Sequence, residues 1–236
     1  MTVRLVDCRS RDAYEAGHVP GAVHLDPEGD LSAPVFDPAI GGRHPLPDPH
    51  VLGAAFANAG IGPGTFVLAY DEGTGWAARC WWLLRHLGHD GAGTLDMRAY
   101  VGPLTAERPR VERAPFVAHV RDDDVAEMDE LRARLDDPRL VLLDARAPER
   151  WRGDTEPLDP VAGRIPGARN AYFLEPLPDD VLEAPELVVY CGSGVTAAPV
   201  VQRLVLAGRD DARLYPGSFS EWCRHPSNPI ERGPAP

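Results

Sequence analysis

Three short motifs occur twice in this chain, in the same order, and a repeat on that scale settles the architecture before any single residue is weighed. The first is an apolar run ending in Asp-x-Arg: Leu5-Val6-Asp7-Cys8-Arg9, then Val141-Leu142-Leu143-Asp144-Ala145-Arg146. The second is Gly-x-(Val/Ile)-Pro-Gly-Ala, at Gly17 to Ala22 and again at Gly163 to Ala168. The third is an apolar run followed by a glycine-rich turn: Phe66-Val67-Leu68-Ala69-Tyr70-Asp71-Glu72-Gly73-Thr74-Gly75, then Leu187-Val188-Val189-Tyr190-Cys191-Gly192-Ser193-Gly194. Helical patterns follow, Trp76 to Leu87 and about Ala197 to Ala207, with Gly88 and Gly208 placed as helix-terminating glycines. Tyr70 and Tyr190 stand 120 residues apart, and so do Gly88 and Gly208. A period of that length is a duplicated domain, not a solenoid.

The apolar runs at Val67–Tyr70 and Val188–Tyr190 read as strands buried on both faces. Their alternation with helices predicts an α/β fold: two domains, each a parallel sheet flanked by helices. The expected division is 1–110 for the N-terminal domain, 111–121 for a linker and 122–236 for the C-terminal domain. Asp122-Asp123-Asp124 is expected to cap and charge a helix from Val125 to Leu135. The first repeat has no such helix ahead of its strand at Val3. Either that domain lacks it or the true start lies upstream of Met1.

A net charge of -12 disfavours nucleic acid and anionic membranes as partners, and obliges any anion site to build its own positive field. No apolar run has the length of a membrane span, and the N-terminus lacks a signal-peptide pattern. Cys8, Cys80, Cys191 and Cys223 form no CxxC pair, which argues against a zinc ribbon or a dithiol redox motif. Free thiols in a reducing cytoplasm are expected. Cys8, in the first Asp-x-Arg strand, and Cys80, in the Trp76 helix, read as small core residues. Cys223 is left open between a structural and a redox-sensing role.

Cys191 differs from the others in its setting. It follows a buried strand, precedes a helix and lies in the turn Cys191-Gly192-Ser193-Gly194-Val195-Thr196. Gly192 and Gly194 admit backbone dihedrals closed to other residues. Pro199 belongs in a helix's first turn, which predicts a start near Ala197 with Thr196 as N-cap. Loop N–H groups and the helix N-terminus would then converge on the sulfur and favour its anion, the nucleophile that sulfur chemistry requires. The alternative is a buried structural cysteine at a strand end.

These motifs, together with Leu214-Tyr215-Pro216-Gly217-Ser218-Phe219-Ser220-Glu221-Trp222, resemble the two-domain rhodanese sulfurtransferases from Leu5 to about Gly233. The resemblance implies a catalytic Cys191 carrying sulfur as a persulfide cradled by Gly192 to Thr196. It implies an inactive first domain, because Asp71 stands where the second repeat has Cys191. A Cys-Gly-Ser-Gly-Val-Thr loop looks like that of the mercaptopyruvate enzymes, whereas thiosulfate enzymes tend to carry basic residues after the cysteine. Arg150 matches an arginine that holds the donor's anion, a task suited to a bidentate guanidinium. The mercaptopyruvate enzymes often carry a second arginine nine positions on; here that position is Asp159, and Arg164 is a candidate for compensating charge. A Ser-His-Asp relay is also implied, with Ser193 as serine, His44 as histidine and Asp30 as acid. Asp7–Arg9 and Asp144–Arg146 are expected to be structural braces.

The expected partners are a small-molecule sulfur donor and a thiol or thioredoxin-type acceptor, with no nucleic acid and no membrane. No metal or organic cofactor is implied. The expected activity is transfer from 3-mercaptopyruvate; the alternatives are thiosulfate:cyanide transfer and a non-catalytic binding module. A phosphatase on the same fold would need Cys-x5-Arg, and the sixth residue after Cys191 is Ala197.

Overall fold

The computed structural model describes residues 2–234. The chain forms two compact units: Met1–Pro34 with Leu46–Arg121, and Val35–Pro45 with Asp122–Pro236.

The first unit runs β1 (Thr2–Asp7), α1 (Arg11–Ala16), β2 (Val23–His24), α2 (Pro49–Asn58), β3 (Thr65–Asp71), α3 (Trp76–His86) and β4 (Ala92–Asp96). The second runs α4 (Met128–Ala133), β5 (Leu140–Asp144), α5 (Pro148–Arg152), β6 (Arg169–Asn170), β7 (Glu186–Tyr190), α6 (Ala198–Leu206), β8 (Arg213–Leu214) and α7 (Ser218–Trp222). The sheets have the parallel orders β2-β1-β3-β4 and β6-β5-β7-β8. The duplication reaches the register: Asp7 is opposite Tyr70, and Asp144 is opposite Tyr190. The central strands are apolar because helices cover both faces.

The repeated motifs are one hydrogen-bonded device made twice. Arg9 donates to Asp7 through Nε and Nη2, and through Nη2 also to the Gly17 carbonyl at 2.7 Å. Arg146 repeats this with Asp144 and the Gly163 carbonyl, again at 2.7 Å. The Val19 N–H donates to Tyr70 Oη and the Ile165 N–H to Tyr190 Oη, both at 3.1 Å. The brace thus ties the Gly-x-(Val/Ile)-Pro-Gly-Ala turn to the ends of the two central strands. Arg146 and Asp144 have no exposed side-chain surface. Burial pulls the Arg146 pKa down, but the charge and hydrogen bonds of Asp144 outweigh it, so the guanidinium stays ionised.

Several expectations are corrected. The helix expected over Val125–Leu135 spans only Met128–Ala133, and the Asp122–Asp124 run does not cap it. Val125 instead makes a parallel bridge to Leu214, with Leu214 N–H donating to the Asp124 carbonyl and Ala126 N–H to that of Leu214. That segment serves the open edge of β8, so pairing overrides helix propensity. Thr196 is not a cap: Ala197 stands at that position in helical conformation, with no side-chain hydrogen bond. Cys8 lies just past β1 rather than within it, and is fully buried, as is Cys80. The glycine helix ends stand. His89 N–H reaches the Leu84 carbonyl and Arg209 N–H that of Leu204, around Gly88 and Gly208 at φ +81° and +91°. The stretch 111–121 packs within the first unit, with Ala114, His119 and Arg121 donating to carbonyls of Ala57, Leu87 and His86. No helix among the described residues is long and apolar enough to cross a membrane.

Replacing Arg146 by Met strands Asp144 as a buried charge and should destabilise the second unit by about 3–5 kcal/mol. Native-state hydrogen exchange of the β5 and β7 amides measures this. A loss under about 1 kcal/mol would mean that the pair is not the brace described.

Candidate functional site

Cys191 follows β7 directly and is 1% exposed. The Gly194 N–H donates to its Sγ at 3.1 Å. Gly194 makes this possible at φ +79°, a conformation costly for any residue with a Cβ. Gly192 serves a different end than the expected backbone freedom, since its φ lies outside the left-handed region. A methyl group built on it would lie 3.0 Å from Arg43 Nη2 and 3.4 Å from Arg150 Nη2. Glycine there lets two guanidinium groups close on the backbone beside the sulfur.

The loop hangs from the first turn of α7. The Cys191 N–H donates to Ser218 Oγ at 3.1 Å, the Phe219 N–H to the Cys191 carbonyl at 3.0 Å, and the Ser220 N–H to the Gly192 carbonyl at 2.9 Å. Ser218 adopts φ +53°, which no other non-glycine does among the described residues. That conformation costs on the order of 1–3 kcal/mol and is held by the bonds Ser218 makes to Cys191 and to the Tyr215 carbonyl. The Leu214–Trp222 motif is therefore the scaffold of the cysteine loop. The sequence marked the motif but not the role of Ser218, because a strained dihedral has no composition signal.

The segment Val35–Pro45 brings further groups to this unit. His44 Nδ1 and Ser193 Oγ share a hydrogen bond of 2.7 Å, so these two expected relay members meet. Asp30 belongs to the first unit, where its carboxylate accepts the Asp26 N–H at 2.8 Å and closes its own turn. Arg43, which the sequence reading did not select, ion-pairs with Asp159. A basic residue immediately before His44 was the only available signal for it.

Arg150 lies on α5 and donates to Glu156 through Nε at 3.1 Å and Nη2 at 2.6 Å. Its Nη2 is also 3.7 Å from Asp159 Oδ2. Asp159 is buried and additionally accepts from Arg224 Nη1 at 2.9 Å. Glu156 accepts from Arg146 as well, at 3.1 Å. Arg164 takes no part in these pairs: it is buried over Trp151, ion-paired to Glu231 and donates to the Gly233 carbonyl at 2.7 Å.

In the first unit Asp71 folds back into its own loop. Its Oδ1 accepts the Gly73 N–H at 2.9 Å, and its Oδ2 accepts Thr74 Oγ1 and the Ala77 N–H, each at 3.0 Å. The carboxylate is the anion of that turn. Cys223 is buried, and burial pushes its thiol up to about 11, with Asp159 adding to the rise.

The rhodanese-like domain family matches residues 1–97 and 127–225. The "Probable 3-mercaptopyruvate sulfurtransferase" of Pseudomonas aeruginosa is 41% identical over 93% of this chain and 86% of its own length. The "Putative thiosulfate sulfurtransferase SseB" of Mycobacterium tuberculosis is 37% identical over 98% of this chain and 89% of its own. A solved structure, "Crystal Structure of Probable Thiosulfate Sulfurtransferase", is 33% identical with TM-score 0.65, covering 97% of both chains.

Two measurements test the local geometry. Ser218→Ala leaves the Cys191 N–H unpaired and should cost about 1–3 kcal/mol. Ser218→Gly loses the same bond but relieves the positive φ, so its melting temperature should fall between those of Ser218→Ala and the parent; the reverse order would refute the strain. At pH 8 a thiol with a pKa near 11 is roughly one part in a thousand thiolate. Iodoacetamide on the native protein should therefore leave Cys223 unmodified by peptide mapping, and labelling at the rate of a free small thiol would contradict this.

Proposed function

This chain belongs to the rhodanese family and is a sulfurtransferase, and on that premise we propose that it moves a sulfane sulfur from 3-mercaptopyruvate to a thiophilic acceptor through a persulfide on Cys191. The observation that carries the reading is the Cys191 loop itself. One N–H is aimed at the sulfur, and the neighbouring Ser193 is hydrogen-bonded to His44.

The Cys191 thiolate attacks the donor's sulfur along the axis of its C–S bond. An S–S bond forms as the C–S bond breaks, and the electron pair leaves on the pyruvate enolate. A proton delivered through the Ser193–His44 pair to the enolate carbon gives pyruvate. The Gly194 N–H, donating to sulfur in the resting loop, favours the charged forms before and after transfer. In the second step the acceptor (cyanide, a small thiol or a thioredoxin-type dithiol) attacks the outer sulfur and returns the Cys191 thiolate. Arg150 holds the donor's carboxylate. The first unit is catalytically silent, because the Asp71 carboxylate cannot carry a sulfane sulfur and already takes the N–H groups of its own loop. A cytoplasmic location fits thiols that must stay reduced.

Thiosulfate is the second reading, and one observation favours it: Arg43 and Arg150 come close to the backbone beside the sulfur, where thiosulfate carries its charge. Steady-state kinetics separate the two donors. We expect kcat/KM for 3-mercaptopyruvate to exceed that for thiosulfate by at least roughly tenfold. A preference for thiosulfate would overturn the donor and leave the nucleophile standing. Cys191→Ser should release no thiocyanate from cyanide after loading with either donor, and retention of that release would remove Cys191 from its role.

A further inference from the structure

We propose that Glu221 is the positioning residue for His44: its carboxylate latches the Val35–Pro45 segment onto α7 and so sets the proton-delivering pair beside Cys191. The inference rests on the reading in which Ser193 and His44 protonate the departing enolate.

The latch starts from the strand that carries Cys191. The Tyr215 N–H donates to the Val189 carbonyl of β7 at 2.9 Å, and Tyr215 is buried in the core with Tyr190 and Trp222. Burial, with the charge of Glu221 second, pushes the Tyr215 phenol far above its ordinary value, so its hydroxyl stays a donor. It donates to Glu221 Oε2 at 2.7 Å. Glu221 Oε1 accepts the Gly41 N–H, also at 2.7 Å. One carboxylate thus joins the core to the segment, an oxygen to each. A helical side chain leans toward the preceding turn, and Glu221 lies over Gly217, where a Cβ would overlap Oε2.

The segment answers with its backbone. Gly41 and Gly42 lie at φ +74° and +77°, and a Cβ on Gly42 would overlap the Gly217 carbonyl oxygen and Ser220 Oγ. Two left-handed residues in succession turn the chain onto α7, and glycine takes them without strain. The Arg43 N–H donates to Ser220 Oγ at 3.0 Å, and His225 Nε2 shares a bond of 2.8 Å with the Ala39 carbonyl. Beyond this seat His44 Nδ1 meets Ser193 Oγ at 2.7 Å. Two paths from β7 therefore close on that hydrogen bond. The short one runs through Cys191 to Ser193. The long one runs through Tyr215, Glu221 and Gly41 to His44, and Glu221 is its side-chain link.

This placement matters to one half of the reaction. When Cys191 takes the donor's sulfur, the C–S electron pair leaves on the enolate. Its carbon takes a proton through the Ser193–His44 pair, which water reprotonates. When cyanide takes the outer sulfur, the S–S electron pair returns to Cys191 Sγ and no carbon is protonated. A loosened segment slows the first half and spares the second.

The test uses the full chain with Glu221→Ala, Glu221→Gln, His44→Gln and the double variant Glu221→Ala/His44→Gln. Single-turnover pyruvate release from 3-mercaptopyruvate should slow roughly tenfold to a hundredfold in Glu221→Ala, the scale of a misplaced acid–base group. Glu221→Gln keeps an oxygen for the Gly41 N–H and offers its amide to Tyr215 Oη, and should recover most of the rate. Cyanide discharge of a thiosulfate-loaded persulfide should stay within about threefold of the parent in Glu221→Ala. In the His44→Gln background, Glu221→Ala should cost less than about twofold more, since both act on one step. Parent-like pyruvate release in Glu221→Ala would overturn the proposal, as would equal slowing of both halves or a full further loss in the double variant. Parent-like release in His44→Gln removes the relay and the role of Glu221 with it, whereas a large His44 effect beside a parent-like Glu221→Ala removes Glu221 alone. If the parent releases no pyruvate, the donor reading fails and the His44 imidazole resonances decide. A shift in Glu221→Ala that Glu221→Gln reverses supports the latch, and unchanged resonances reject it.

Discussion

Arg146 carries a charge on a side chain with no exposed surface, and the second unit is arranged around keeping that charge paired. Asp144 takes it at the end of β5, the Gly163 carbonyl takes it from the next motif, and Glu156 takes it from the loop that also holds Arg150. Its guanidinium lies 4.1 Å from the centroid of Phe219, whose N–H holds the Cys191 carbonyl. A buried cation tolerates little displacement, because each lost partner costs several kcal/mol. The brace therefore transmits rigidity from the sheet to the cysteine loop and to the arginines beside it.

Comparison of the two repeats separates what the fold requires from what the chemistry requires. Both keep the Asp-x-Arg brace, the tyrosine that accepts an N–H of the Gly-x-(Val/Ile)-Pro-Gly-Ala turn, and the glycine helix end. They differ at the residue that follows Tyr70 in one and Tyr190 in the other. Asp71 supplies its own anion to the loop donors, whereas Cys191 leaves the Gly194 N–H aimed at sulfur. The turn thus presents its N–H groups to a fixed carboxylate in one unit and to a sulfur in the other.

Much of this was legible in the chain. The duplication, the parallel sheets and the placement of Cys191 and Ser193 rest on motifs whose physical causes are local: apolar runs, turn glycines and a strand-to-helix loop; His44 was legible only through the family resemblance. The errors have a common source. Asp122–Asp124 and Val125 read as a helix start because the open edge of β8 is invisible in a linear string. Arg164 read as a possible substrate cation, but Trp151 and Glu231 claim it from distant positions.

The sequence by itself determined the fold class, the repeat, the family and the cysteine that stands where the first repeat has Asp71. Each depends on residue types at fixed short spacings, and short spacings are preserved on folding. Tertiary structure alone decided how the site is charged. Arg43 and Asp159 are 116 positions apart, and Ser218 and Cys191 are 27 apart. Such meetings depend on how the loops close over the sheet, and nothing local in either residue announces them.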